Sequence, residues 1–162
     1  FHRIPIERSF FMDYEVLMNG HVKIGESAPS FECSSTKGKI SLENYKGKWL
    51  ILFSYPEDFT PVCTSEMIAF AMAYPYCQKI NTEILGLSVD SLAAHFAWIE
   101  MIYQKTAIPI LFPLIADANG EIARKYGMMT NSVSSSKAIR NVYILNPQQQ
   151  IKAIFSYPIE VR

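Results

Sequence analysis

The chain is short of cysteine, of net charge and of long apolar runs, and each shortage closes off a class of function. Only three of its 162 residues are cysteines, Cys33, Cys63 and Cys77. An odd count in a chain of this size is not a disulfide framework, and it fits a reducing compartment better than a secreted one. Lys+Arg and Asp+Glu both number 15, so the formal net charge is zero. The basic footprint of a nucleic-acid binder is therefore missing. No apolar run approaches the ~20 residues that a membrane-crossing helix needs. The histidines, His2, His21 and His95, lack metal-ligand spacing, so neither a metal nor a cofactor is expected. Phe1 to Phe11 mixes His, Arg, Glu and Pro among its apolar residues, unlike a signal peptide. Together these absences predict a cytoplasmic protein with no nucleic-acid partner and no membrane partner.

What is present is core-forming material. With 49% hydrophobic and 13% aromatic residues, a chain of this length suits one domain with a sizeable core. That domain is expected over residues 21–162. Residues 1–20 look unlike the rest and read as a leader or extension, with Met12 and Met18 both possible original starts.

Strands and helices alternate along the chain. Trp49 to Phe53 is continuously apolar, as expected of a strand covered on both faces. Glu83 to Val89 reads the same way. Leu111 to Ile115 is a weaker strand, where Pro113 suggests an edge or a bend. Asn141 to Leu145 and Ile151 to Phe155 flank the turn residues Asn146 to Gln149 and predict a hairpin. A helix is expected from Thr64 to Ile80, with Met67, Phe70, Ala71 and Tyr74 on its apolar face and Pro75 as a kink. A second is expected from Ser91 to Gln104, capped by Asp90 or Ser91, with Leu92, Phe96, Ile99 and Tyr103 facing inward. A short third runs from Asn119 to Tyr126 and stops at Gly127. Such an order implies an α/β fold: a mixed central sheet, parallel in its middle, with helices on both faces.

One stretch carries chemistry. In Tyr55-Pro-Glu-Asp-Phe-Thr-Pro-Val-Cys-Thr64 a strand gives way to a helix, and a thiol sits at the joint. With Thr60 as N-cap, Pro61 takes the first helical position, where its fixed φ and missing N–H do no harm. Cys63 then falls in the first turn, where unpaired N–H groups and the helix dipole favour an anion. Thiols at such positions ionise more readily than usual, and the thiolate is the nucleophilic form. Pro56 would shield the sulfur and shape the entry loop. The Thr60 hydroxyl can accept from a backbone amide and donate to a second acceptor. Arg140 directly precedes the strand Asn141 to Leu145, so a parallel sheet could bring its guanidinium back to the elbow, with Glu66 as its anchor. Singly, each of these residues has an ordinary reading: a buried apolar cysteine, common helix capping, a surface arginine.

The combination Pro56-x-x-x-Thr60-x-x-Cys63, within Phe53-Ser-Tyr-Pro-Glu-Asp-Phe-Thr-Pro-Val-Cys-Thr-Ser-Glu66, resembles the active-site signature of the peroxiredoxins. Leu87-Ser-Val-Asp-Ser91, His95, Trp98 and Phe112-Pro-Leu-Ile-Ala-Asp117 are also similar to that family, above all to its one-cysteine subgroup. The resemblance runs from about Val22 to Pro158. It implies a thioredoxin-like fold, with Cys63 attacking a hydroperoxide to give a sulfenic acid. Pro56, Thr60 and Arg140 match the family's other active-site positions, and Glu66 an acidic position that supports the arginine. It also implies reduction by an external thiol, such as thioredoxin, glutathione or a small molecule, and a homodimer or higher homo-oligomer. Similar proteins continue beyond Tyr157 to Arg162 through another helix and a C-terminal arm, which this domain is expected to lack. Arg162 falls near a second arginine of the family, at an uncertain spacing, and is left out of the core site.

The other thiols are read as structural. Cys77 lies fourteen residues beyond Cys63 on one expected helix, about 21 Å at ~1.5 Å per residue. A disulfide needs Cα atoms within ~7 Å, so Cys77 cannot resolve Cys63 within one chain. Cys33 has no stated relation to the elbow, and an intersubunit role is its other reading. His95 invites comparison with Cys–His nucleophile pairs but is read as structural. Three alternatives are weighed. A thioredoxin-type oxidoreductase is disfavoured because position 66 is Glu rather than Cys. A cysteine hydrolase lacks a placed histidine base. A redox sensor or holdase would use the same Cys63.

Overall fold

The structure, a computed structural model, describes residues 22–129 and 136–157. The leader over residues 1–20 and Arg162 lie outside the described residues. In chain order the elements are β1 (Glu32–Ser35), β2 (Gly38–Ser41), a 3-10 turn (Leu42–Tyr45), β3 (Trp49–Ser54), α1 (Pro61–Lys79), β4 (Thr82–Ser88), α2 (Leu92–Thr106), β5 (Leu114–Ala116), α3 (Glu121–Tyr126), β6 (Arg140–Leu145) and β7 (Ile151–Tyr157).

The sheet is built outward from its most apolar segments. β3 and β4 pair in parallel from Trp49↔Thr82 to Ser54↔Leu87, and β5 continues the parallel run beside β4. On the other side β6 joins β3 antiparallel, and β7 returns along β6 as the second arm of the expected hairpin. The full order is β2-β1-β5-β4-β3-β6-β7. Period-2 alternation sends successive side chains to opposite faces. Leu50, Leu52, Leu85, Leu87, Tyr143 and Leu145 face one core together with Ile122, Ala123 and Tyr126 of α3. Phe53, Ile84 and Val142 face the other with Met67 and Tyr74 of α1 and Trp98 and Ile102 of α2. The sheet is therefore mixed and covered by helices on both faces, as the alternation predicted.

Several sequence expectations change in detail. The hairpin of β1 and β2, turning at Ser35 to Gly38, was not foreseen: Glu32-Cys-Ser-Ser35 has no apolar alternation, and only Gly38 at φ 91 marks the turn. This hairpin covers β5, so Pro113 lies at no edge. Pro113 instead precedes the strand, and its carbonyl accepts from the Gly86 N–H at 3.1 Å. The inner face of α2 also differs. His95, Trp98 and Ile102 are buried, while Phe96 and Tyr103 are exposed. The true stripe lies next to the expected one because it contains a histidine, a residue that joins an apolar face only when both ring nitrogens find partners. Helix α1 starts at Pro61 and continues through Pro75 to Lys79. Gly127, at φ 72, ends α3 as expected.

Candidate active site

The β3–α1 joint is pinned by three hydrogen bonds before any chemistry is considered. The Tyr55 N–H bonds the Leu87 carbonyl at 3.1 Å, extending the pairing with β4 by one residue. The buried Ser54 hydroxyl donates to the Ile139 carbonyl at 2.6 Å and accepts from the Asn141 N–H at 3.2 Å. These two bonds stitch the end of β3 to the start of β6. The antiparallel register, Phe53 opposite Val142, therefore places Arg140 beside the elbow. The expectation that parallel pairing would return Arg140 is corrected: β6 runs against β3, so the start of β6 meets the end of β3.

The loop between them is tightly specified. Pro56 and Asp58 are buried. Phe59 takes φ 68, a left-handed conformation uncommon for an aromatic residue. Thr60 is the N-cap in extended conformation, and Pro61 opens α1. The Thr60 hydroxyl makes no capping bond; it donates to the Glu57 carbonyl at 3.0 Å. This differs from the amide-accepting role expected of it, and it closes the loop on itself. The Thr60 carbonyl accepts from the Thr64 N–H at 2.9 Å and the Thr64 hydroxyl at 2.7 Å.

Cys63 sits in the first turn of α1, with 1% of its surface exposed. One terminal nitrogen of Arg140 donates to its Sγ at 3.1 Å, and the other donates to Glu66 Oε2 at 3.1 Å. The guanidinium, 3% exposed, thus bridges the sulfur and a carboxylate one turn along the helix. Burial pushes the Glu66 carboxyl above its ordinary value, against the pull of Arg140. Beside this pair lies a cavity of about 410 Å³ lined by Glu66, Phe70, Arg140, Val142 and Tyr157 among others. Lys137 donates to the Glu57 carboxylate of the β3–α1 loop at 2.5 Å.

The structure thus brings Cys63, Arg140 and Glu66 into direct contact and sets Pro56 and Thr60 in the loop feeding them. It leaves the other thiols apart. Cys77 is on the same helix, no disulfide is formed, and all three cysteines are free. Burial pushes the Cys33 thiol up to about 12, with Asp117 and Glu32 adding to the effect. Burial raises the Cys77 thiol as well. Sequence reasoning missed a second layer. Trp98 Nε1 donates to the Thr64 hydroxyl at 3.2 Å. His95 Nδ1 lies 2.6 Å from Asp58 Oδ2, and Tyr55 donates to Asp58 Oδ1 at 2.8 Å. The available signal was the pair of acidic residues, Asp58 and Asp90, in segments otherwise destined for burial. Among the described residues, no group of three or more His, Cys, Asp and Glu is arranged to hold a metal ion, and no helix is long and apolar enough to cross a membrane.

Comparison with known proteins adds independent weight. The sequence model of the AhpC/TSA family matches residues 24–154. Peroxiredoxin 2 of Caldanaerobacter subterraneus subsp. tengcongensis is 46% identical over 139 residues, covering 86% of this chain and 63% of the relative. A peroxiredoxin of Hyperthermus butylicus is 47% identical over 139 residues, covering 85% and 60%. The chain thus spans less than two thirds of the length of these two relatives. Among solved structures, the yeast mitochondrial 1-Cys peroxiredoxin superposes with a TM-score of 0.80 at 36% identity, covering 86% of this chain and 70% of that one. Peroxiredoxin 6 of Arenicola marina gives 0.79 at 31%, covering 86% and 67%. The thioredoxin-like fold and the elbow chemistry both fall within the matched span, and the chain belongs to the AhpC/TSA family, among the peroxiredoxins.

Proposed function

We propose that the chain is a thiol-dependent peroxidase that reduces hydrogen peroxide and organic hydroperoxides through Cys63. The observation that carries this reading is the Arg140 guanidinium donating to Cys63 Sγ at a helix N-terminus. A cation in a charge-assisted bond stabilises negative charge on sulfur before attack and on oxygen as the O–O bond breaks. The Cys63 sulfur attacks the nearer peroxide oxygen, an S–O bond forms, and the O–O bond cleaves. The departing hydroxide or alkoxide takes a proton and leaves as water or alcohol. Cys63 is left as sulfenic acid, two electrons more oxidised. Arg140 spans both reacting centres because its planar fork offers separate donors, and Glu66 fixes the fork. Pro56 excludes water, and Thr60 shapes the entry.

With Cys77 on the same helix and Cys33 held in β1, reduction falls to an external thiol. That thiol condenses with the sulfenic acid, releasing water and forming a mixed disulfide. A second thiol then restores Cys63. The yeast 1-Cys relative is resolved via glutathione/thioredoxin systems, which supports the same reductant class here. A reducing, cytoplasmic setting suits three unpaired cysteines. A homodimer through the outer edge of the sheet suits β7, whose Phe155 and Tyr157 are exposed. The test is peroxide consumption with dithiothreitol as reductant: wild type turns over, and Cys63→Ser does not. Equal consumption by the two proteins would overturn the proposal.

A further inference from the structure

His95 is fully buried in α2 and has no role in the chemistry above. Each of its ring nitrogens nevertheless faces an acceptor: Nδ1 meets Asp58 Oδ2 at 2.6 Å, and Nε2 meets the Ile115 carbonyl oxygen at 2.9 Å. A carbonyl only accepts, so Nε2 carries a hydrogen. The remaining contact, nitrogen against carboxylate oxygen, needs a proton of its own. Without it, two lone pairs would meet at that distance in a buried site. The other neutral tautomer moves the same clash to Ile115. The histidine and Asp58 together therefore hold one proton more than a neutral ring beside a carboxylate. Burial of the ring works against its charged form, but the bond and charge of Asp58, the Ile115 carbonyl and the charge of Asp90 outweigh it and raise His95 above its ordinary value.

The groups facing the ring are few. The β3–α1 loop contributes Asp58 and Tyr55, whose hydroxyl is 3.5 Å from Nδ1. The β4–α2 turn contributes Asp90, which accepts from the Asp58 N–H at 3.0 Å and the Ser88 hydroxyl at 2.6 Å. Lys137 lies within electrostatic range of Asp90. β5 contributes the Ile115 carbonyl. Asp58 is thus gripped at its backbone and at both carboxylate oxygens, midway between Pro56 and Thr60.

We propose that His95 is a positioning residue for peroxide reduction: its doubly bonded ring holds the proton that ties Asp58, and with it the loop delivering Cys63 to Arg140, onto α2 and β5. The proposal rests on the peroxidase reading for its effect on rate, but not for its effect on structure. Loss of the proton breaks one of the two ring bonds and loosens the loop.

The test is a ¹⁵N NMR titration of the ring in the full chain from pH 6 to 10, with the amides of residues 58–60, 62 and 63 followed alongside. The expected result is two protonated ring nitrogens at pH 6.5, and loop amides that shift with the same midpoint as the ring. The rate of hydrogen peroxide reduction should fall at least tenfold through that midpoint. His95→Gln, which replaces the two opposed ring donors by a single amide nitrogen and does not titrate, should lower the rate at least tenfold at pH 7 and remove the alkaline fall. If this variant does not fold, the wild-type titration decides alone. A neutral ring at pH 6.5, or a ring that titrates while the loop amides stay still, would overturn the proposal. So would an unchanged rate and pH profile in a folded His95→Gln. Should no peroxide be consumed at any pH, the peroxidase reading falls, while the ring and amide titration still decides this one.

Discussion

Arg140 touches the sulfur with one nitrogen and Glu66 with the other, so the two contacts are separable by substitution. Lysine has one charged nitrogen and no fork. Arg140→Lys should therefore lower the second-order rate with hydrogen peroxide by about 10²-fold, in the range found when one preorganised donor to a developing charge is removed. Stopped-flow tryptophan fluorescence is a suitable readout, and a loss under threefold would deny the guanidinium its role. Glu66→Gln keeps an acceptor and loses the charge, so a smaller fall of about tenfold is expected. The remaining thiols give a second check at this scale. Burial pushes Cys33 up to about 12 and raises Cys77, so both stay protonated near neutrality and react slowly. Brief iodoacetamide treatment at pH 8, followed by peptide mapping, should leave Cys33 and Cys77 unmodified.

At the scale of elements, the parallel centre was readable because its strands are rich in apolar residues, and the helix starts because Thr60 and Ser91 are residue types common at N-caps and Pro61 suits a first helical position. The Ser91 hydroxyl does accept from the Ala94 N–H at 3.1 Å. The β1–β2 hairpin and the inner face of α2 were not readable, since both depend on partners far along the chain: Ser35 pairs with Ile115, and His95 is admitted to the interior by Asp58. Gly86 shows the same dependence. Nothing in Leu85-Gly-Leu87 announces it, yet a Cβ there would stand 2.8 Å from Leu114 Cδ2 and 2.8 Å from Phe53 Cζ. The glycine makes room for the Phe53 ring, which stacks on Phe70 of α1 with centroids 4.2 Å apart. Gly86→Ala overpacks this layer and should cost about 1–3 kcal/mol. Urea unfolding measures it, and a neutral or stabilising result would mean that the layer has slack.

For the whole molecule, the buried proton of His95 has a thermodynamic signature. A histidine raised on folding contributes stability that is fully present below its unfolded value of ~6.5 and is lost as pH rises through its folded value. Glu66, raised from 4.5, adds a fall of the same sign at lower pH, because the folded state holds that proton more tightly too. Tm measured by calorimetry should therefore decline from pH 6.5 into the alkaline range, and the decline should shrink in His95→Gln. A Tm that climbs with pH over this window would contradict the sign. The residues named from sequence for the reacting centre lie together because one motif holds four of them within eleven positions, 56–66. Arg140 needed the sheet, and its route there, by antiparallel rather than parallel pairing, could not be read from a single strand.

Cys63 and the guanidinium that completes its environment stand 77 positions apart. During synthesis the thiol leaves the ribosome well before the arginine has been translated. Until β6 closes against β3, the nascent chain carries the thiol without its guanidinium partner. Chains that stall or break before that closure would lack the contact altogether, so the order in which the polypeptide is made is also the order in which this site is assembled.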